Sequence, residues 1–120
     1  MSANEGGFDP ERFEAEKYRE YFTGLQQAYK AAFNRMNDSY DSTLVHAVDQ
    51  TVLAESEPFY EDGDFRIGLP EDPSPAERVE RAGVVVEESR LEEVLGRYAE
   101  VLVEELRAEF GLDDGDEEKA

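Results

Sequence analysis

His46 and Asp49 are the two residues whose types and spacing come nearest to enzyme chemistry. They stand three positions apart in a stretch with helical periodicity, so one helical turn would bring an imidazole near a carboxylate. Such a pair can form an oriented general base or half of a metal site. Neither an HExxH nor a GxSxG pattern accompanies it. A small hydrolase or metal-dependent enzyme using His46 and Asp49 is therefore the alternative to a non-catalytic function.

Other patterns for ligand binding are missing from the sequence. With no cysteine, the chain has no disulfide, thiol nucleophile or cysteine-based metal site. Asp62-Gly63-Asp64 departs from the EF-hand pattern because Arg66 stands where the third calcium ligand belongs. We find no phosphate-binding glycine loop and no cluster of Lys and Arg suited to nucleic acid. We predict no metal, no cofactor and no nucleic-acid partner.

Acidic residues dominate the composition. The 120 residues include 31 Asp and Glu against 12 Lys and Arg, a net charge of −19, and nine of the twelve cations are Arg. Dense carboxylates with few lysine stems keep a surface hydrated in molar salt, as is typical of extremely halophilic archaea. This habit explains the charge without a cationic partner. Imitation of nucleic-acid phosphates is the weaker alternative.

The chain length and apolar pattern predict one domain and no membrane segment. The longest apolar run, residues 82–86, is too short to span a bilayer, and nothing resembles a targeting signal, so we expect a cytoplasmic protein without membrane association. We predict a disordered tail over residues 1–8, a single domain over 9–111 and a disordered acidic tail over 112–120. The domain is expected to be α+β, with two long helices and a shorter one packed with a small antiparallel sheet. A three-helix bundle with an appended hairpin is the alternative.

The first long helix is predicted over residues 10–37. Asp9 is its N-cap, and Phe8 with Phe13 forms a hydrophobic staple. Its apolar stripe, expected to fill the core rather than hold a ligand, consists of Tyr18, Phe22, Leu25, Tyr29, Phe33 and Met36. Gly24 lies off this stripe. We expect the helix to tolerate its cost of about 1 kcal/mol, in preference to a close neighbour that requires glycine.

The middle of the chain is predicted to form a helix and a hairpin. The second helix begins at Asp41 or Ser42, continues to about residue 55 and is expected to bury four aliphatic side chains, Leu44, Val45, Val48 and Val52. Asp62-Gly63 is a two-residue turn that joins strands over residues 59–61 and 64–67.

The last third is predicted to form two helices and a strand. A short helix starts at its N-cap Ser74 and ends at Gly83, and residues 84–86 form a buried strand beside the hairpin. The last helix begins with a capping box of Ser89 and Glu92 and continues to Phe110, before Gly111.

The apolar face of the last helix changes direction along its length. Leu91, Val94 and Tyr98 form one stripe, whereas Ala99, Val103, Leu106 and Phe110 form another. Val103, Leu106 and Phe110 are the candidate interface, which a second copy would cover in a twofold homodimer. The alternative is a curved helix held between two parts of one domain.

A neutral island interrupts the acidic chain between Tyr21 and Val48. Its charged residues, Lys30, Arg35, Asp38 and Asp41, cancel. A neutral surface in an acidic protein favours contact with a protein partner. The alternative is that the island is core plus a polar turn.

The first half of the chain also resembles a small acidic protein family of halophilic archaea. The resemblance rests on residues 25–30 (LQQAYK), 36–38 (MND), 44–50 (LVHAVDQ) and 55–60 (ESEPFY), and extends over residues 8–110. That family has no established activity. The resemblance therefore implies a halophilic cytoplasmic protein and no site residue, and we favour a non-catalytic interaction or regulatory module.

The charge count predicts that stability depends on salt. Carboxylate repulsion should loosen the domain at low ionic strength, and added KCl should restore it. We expect the thermal midpoint to rise between about 0.1 and 2 M KCl, where screening is nearly complete. A midpoint that stays flat or falls over this range contradicts the halophilic interpretation.

Overall fold

The computed structural model describes residues 8–112 and shows an α+β domain, as predicted. Its elements in chain order are α1 (Pro10–Glu16), α2 (Phe22–Ser39), α3 (Ser42–Thr51), a 3₁₀ helix (Leu53–Glu55), β1 (Glu57–Glu61), β2 (Asp64–Gly68), α4 (Pro75–Arg81) and α5 (Glu88–Glu109). β1 and β2 form a two-stranded antiparallel sheet. The tails predicted over 1–8 and 112–120 lie outside the described residues, apart from Phe8 and Leu112, which pack against the core.

The single helix predicted over residues 10–37 is wrong, because the chain turns between α1 and α2. Lys17 ends α1 and is only 4% exposed. Its ammonium donates a hydrogen bond to the carbonyl of Pro58 at 2.8 Å and pairs with Glu57 at 2.8 Å and Glu14 at 3.3 Å. These contacts hold α1 against β1 at the point where α1 ends and the turn over residues 17–21 begins.

The turn changes which residues of the predicted stripe are buried. Tyr18 and Phe22, predicted to be core, are 54% and 44% exposed. The buried face of α2 consists of Leu25, Ala28, Ala32 and Met36, with Tyr29 and Phe33 partly buried beside it. Two alanines on this face let α5 lie close to α2, and these helices form the most extensive contact in the domain.

Gly24 is required by a close neighbour, contrary to our expectation. A Cβ at this position would lie 2.8 Å from two ring atoms of Phe110. That ring cannot move aside freely because it packs in an aromatic cluster with Phe8, Phe13, Tyr21 and Phe65, at centroid distances of 5.5 to 6.1 Å. Glycine at position 24 therefore lets the end of α5 approach the start of α2.

The predicted caps of α1 and α3 are confirmed. The Asp9 carboxylate accepts backbone N–H bonds in the first turn of α1, and the rings of Phe8 and Phe13 lie 5.3 Å apart. The Asp41 carboxylate accepts the N–H of Leu44 at 2.9 Å. The four aliphatic residues predicted to face inward from the second helix are all buried.

The hairpin is also confirmed. β1 and β2 pair with Glu61 opposite Asp64, so Asp62 and Gly63 form the two-residue turn. Their φ angles of 54° and 81° lie in the left-handed region that a type I′ turn requires.

The segment after α4 differs from the prediction. Ser74 caps α4 by accepting the N–H of Glu77, and Gly83 ends it with a φ of 88°, both as expected. The N–H of Val84 then bonds to the carbonyl of Val79 in the C-terminal motif of α4. Residues 84–86 form a short connection to α5 rather than a buried strand, and Val85 is 99% exposed.

α5 has one buried stripe rather than two faces. It begins at Glu88 without a side-chain cap, so the predicted capping box of Ser89 and Glu92 is wrong. Val101 and Leu102 connect the two predicted stripes, and the complete buried set is Leu91, Val94, Tyr98, Val101, Leu102 and Leu106. α5 contacts α2 and β2, which agrees with the alternative of a helix held between two parts of one domain.

Alanine substitutions at two helical glycines test the contact between Gly24 and Phe110. We expect Gly24→Ala to lower the free energy of unfolding by about 1–3 kcal/mol, because the added methyl overpacks against a ring that its neighbours hold. Gly96→Ala is the matched control, since a Cβ there meets nothing within 4 Å. It should raise stability by about 0.5–1 kcal/mol. Urea denaturation in molar KCl measures both, and a Gly24→Ala protein as stable as Gly96→Ala contradicts the packing argument.

Candidate interaction surface

His46 and Asp49 are each bonded to other groups. The Nδ1 of His46 donates to the carbonyl of Ser42 at 2.9 Å, and its ring meets Phe33 edge-on at 4.9 Å. The Asp49 carboxylate accepts the hydroxyl of Tyr98 at 3.0 Å. The spacing that suggested a catalytic pair therefore does not bring the imidazole and this carboxylate into a shared hydrogen bond.

The bond between Tyr98 and Asp49 links α5 to α3. Burial, together with the nearby Asp49 charge, raises the pKa of Tyr98, so the phenol remains a protonated donor. Tyr98 itself is 1% exposed. We conclude that Asp49 serves the packing of two helices.

Neither a metal centre nor a membrane span is found in the described part of the chain. Between residues 8 and 112, no group of three or more His, Asp or Glu side chains is placed to hold a metal ion. No helix among these residues has the length and apolar character to cross a bilayer.

Val103, Leu106 and Phe110 do not form a common exposed surface. Leu106 is fully buried in the core, and Phe110 is partly buried over Gly24. Val103 lines a groove between α5 and β2, next to the ion pair of Arg107 with Asp64. Leu106 therefore cannot contact a second copy, because the domain's own core covers it.

Nearly every cation in the described part of the chain is paired with a carboxylate. Ten of the eleven Lys and Arg residues between 8 and 112 form ion pairs: Arg12, Lys17, Arg19, Arg35, Arg66, Arg78, Arg81, Arg90, Arg97 and Arg107. The exception is Lys30, which is exposed on α2 and has no carboxylate partner among residues 8–112. Its ammonium is the one cation between residues 8 and 112 that forms no ion pair there.

An uncharged groove of about 400 Å³ lies beside the exposed side of α2. Its walls come from α2, from the turn before it and from the 3₁₀ segment, and consist of Tyr18, Phe22, Leu25, Gln26, Tyr29, Leu53, Ala54, Ser56 and Pro58. The hydroxyl of Tyr29 donates to the Ser56 Oγ at 2.9 Å, because the Ser56 hydroxyl proton is itself donated to the carbonyl of Leu53. Burial raises the pKa of Tyr29 to about 12, so the groove remains neutral well above pH 7.

A second hollow continues this groove along α2. It is lined by Gln26, Gln27, Tyr29 and Lys30, and so shares Gln26 and Tyr29 with the groove. We call the combined surface of Tyr18, Phe22, Gln26, Tyr29 and Lys30 the aromatic face. It carries one cation and no carboxylate in a chain with a net charge of −19.

The comparisons with known proteins identify a family but no activity. Residues 4–113 match the model of a family of unknown function, DUF5783. The chain belongs to this family. No curated protein and no solved structure shows significant similarity to it. Membership of DUF5783 confirms the expectation of a family without established activity.

The aromatic face of this DUF5783 member was only partly predicted. The neutral island contains Phe22, Gln26, Tyr29 and Lys30, but we expected the two rings to be core. Tyr18 lies outside the neutral island, and its ring was also expected to be in the hydrophobic core. Lysine is a good helix former, so Lys17 gives no local sign in the sequence that the helix ends there.

Substitutions at Tyr98 and His46 test whether the hydrogen bond of Tyr98 contributes more to the free energy of unfolding than the contacts of His46. Tyr98→Phe should lower the free energy of unfolding by about 1–2 kcal/mol, because it leaves the partly buried Asp49 carboxylate without its donor. His46→Ala should change stability by less than about 0.5 kcal/mol, since the imidazole is exposed. Denaturation in molar KCl measures both, and an equal or larger loss for His46→Ala contradicts this assignment.

Proposed function

We propose that this protein is a non-catalytic interaction module that forms a homodimer through its aromatic face. The observation that carries the proposal is the exposure of Tyr18 and Phe22, at 54% and 44%, around a groove without a charged residue. Such a module acts through the contact that it makes, in assembly or regulation, without turning over a substrate.

Exposed aromatic rings favour association for a physical reason. Tyr and Phe are enriched at the centres of protein interfaces, where charged residues are depleted. Salts that strengthen apolar burial increase the cost of leaving such rings in water. Tyr18 and Phe22 also border a concave surface, which gives a partner side chain a place to pack.

A second copy is the occupant that the charge distribution favours. Two chains of net charge −19 repel each other over most of their surfaces. None of the five residues of the aromatic face carries a carboxylate, and the two carboxylates near Tyr18, Glu57 and Glu14, both pair with Lys17. Lys30 adds a cation that no residue between 8 and 112 neutralises. Two copies can therefore come into close contact there, in an isologous arrangement that uses the same surface twice.

This proposal moves the dimer contact from α5 to α2. Of the expected patch, Leu106 is fully buried and Phe110 packs over Gly24, whereas Val103 lines the groove between α5 and β2. The neutral island suggested the second location, and the aromatic face lies mostly within it.

We further propose that the dimer works in the salt-rich cytoplasm of a halophilic archaeon. The supporting observations come from the sequence: its net charge, its preference for Arg over Lys and its family resemblance. Under such screening, with a Debye length of about 3 Å near 1 M salt, short-range contacts decide association.

Sedimentation velocity in molar KCl tests the dimer at tens of micromolar protein. We expect the unmodified chain to sediment as a dimer and Gln26→Glu to sediment as a folded monomer, because a carboxylate would be buried in the interface. Val85→Glu is the matched control, since Val85 is 99% exposed and lies outside the aromatic face. It should remain dimeric.

Two results would contradict the proposed function. The first is a monomer for the unmodified chain, which leaves the aromatic face free for a different protein. The second is a dimer that Gln26→Glu leaves intact while circular dichroism shows an unchanged fold, which places the contact outside the aromatic face.

A further inference from the structure

The aromatic face contains a regular stripe along α2. Phe22, Gln26 and Lys30 follow one another at four-residue steps, and all three are exposed. Residues four apart lie on the same side of an α-helix. With a rise of 1.5 Å per residue, Phe22 and Lys30 lie about 6 Å along the axis on either side of Gln26.

We propose that two copies pair their α2 helices antiparallel about a twofold axis at Gln26, so that each Lys30 ammonium lies over the Phe22 ring of the other copy. This inference rests on the proposed function and gives the dimer a register. A twofold axis at Gln26 exchanges the positions four residues before and four residues after it. Lys30 of one copy therefore meets Phe22 of the second copy, and the contact forms twice.

The two side chains suit each other chemically. Lys30 offers an ammonium with no carboxylate partner among residues 8–112, and Phe22 offers a ring that is 44% exposed. A cation over an aromatic face is attracted by the ring quadrupole. This chain already uses that contact internally, since the Lys17 ammonium lies 4.4 Å from the ring centre of Phe59 and the Arg66 guanidinium 4.6 Å from it.

Gln26 suits the position on the axis. A residue on a twofold axis meets its own copy, so a charged side chain there would face a like charge. An amide carries both a donor and an acceptor, so two copies of Gln26 can bond reciprocally. An uncharged amide can therefore lie against its own copy on the twofold axis without repulsion.

Other registers of the same helices are less favourable. Parallel pairing would set Lys30 opposite Lys30, and an antiparallel axis at Lys30 would do the same. Both place two ammonium groups together, which opposes association. Pairing about Gln26 separates the two lysines by about 12 Å along the helix, which exceeds the Debye length in molar salt.

Single-cysteine variants test the register directly, because the chain has no cysteine of its own. A disulfide needs Cα atoms within about 7 Å, so oxidation reports which positions meet. In molar KCl with mild oxidation, we expect Gln26→Cys alone to give a covalent dimer. Phe22→Cys or Lys30→Cys alone should give little, whereas a mixture of the two, one carrying a tag, should give the mixed dimer. Val85→Cys is the control for random collision.

Substitutions at Lys30 test the cation–ring contact separately. Lys30→Met keeps the stem and removes the charge, and it should weaken dimerisation about tenfold, because two such contacts are lost. Lys30→Arg retains a cation and should leave the dissociation constant within about threefold. Sedimentation equilibrium in molar KCl measures both.

The outcomes separate this inference from the proposed function. Two results overturn the register while the proposed function stands. In the first, Lys30→Cys alone forms the disulfide as fast as the mixture of Phe22→Cys and Lys30→Cys. In the second, Gln26→Cys forms the disulfide no faster than Val85→Cys. A dimer that Lys30→Met leaves unweakened overturns the cation–ring contact. A monomeric unmodified chain overturns both the inference and the proposed function.

Discussion

The packing of Phe110 over Gly24 is the contact on which the rest of the domain depends. It places the end of α5 against the start of α2, and the ring then lies within a cluster that includes Phe8, Phe13 and Phe65. α1 has seven residues and is too short to be stable as an isolated helix, so it relies on this cluster and on the buried Lys17 ammonium. One glycine thus allows α1, α2, β2 and α5 to meet.

The aromatic face follows from what this packing leaves unused. Most of the rings near the N-terminus are taken into the cluster, and the turn at Lys17 carries Tyr18 and Phe22 away from it. Most cations are likewise occupied by contacts within the domain. Ten of the eleven between residues 8 and 112 pair with carboxylates, and Lys30 does not. The aromatic face therefore differs from the rest of the described chain in two ways: its rings are exposed and its cation forms no ion pair.

Most local chemistry could be predicted from the sequence, apart from the capping box of Ser89 and Glu92, and contacts distant in the chain could not. The caps at Asp9, Asp41 and Ser74 and the turn at Asp62-Gly63 depend on neighbouring residues, and all of them are confirmed. The turn at Lys17 depends on a carbonyl 41 positions away, and the bond of Asp49 on a tyrosine 49 positions away. For the candidate site, composition identified a neutral region. It did not identify which rings are exposed, because exposure depends on that distant carbonyl.

Salt acts in opposite directions on the two kinds of interaction in this molecule. Exposed ion pairs contribute about 0–1 kcal/mol each at ordinary ionic strength and less when screened, so the pairs on this surface mainly reduce repulsion. Burial of aromatic rings gains from salts that are excluded from protein surfaces. The proposed contact of Phe22, Tyr18 and Lys30 should therefore persist in salt that would weaken an interface of surface ion pairs. The same argument supports the proposed location of the contact, because the five residues of the aromatic face include none of the 31 acidic residues of the chain.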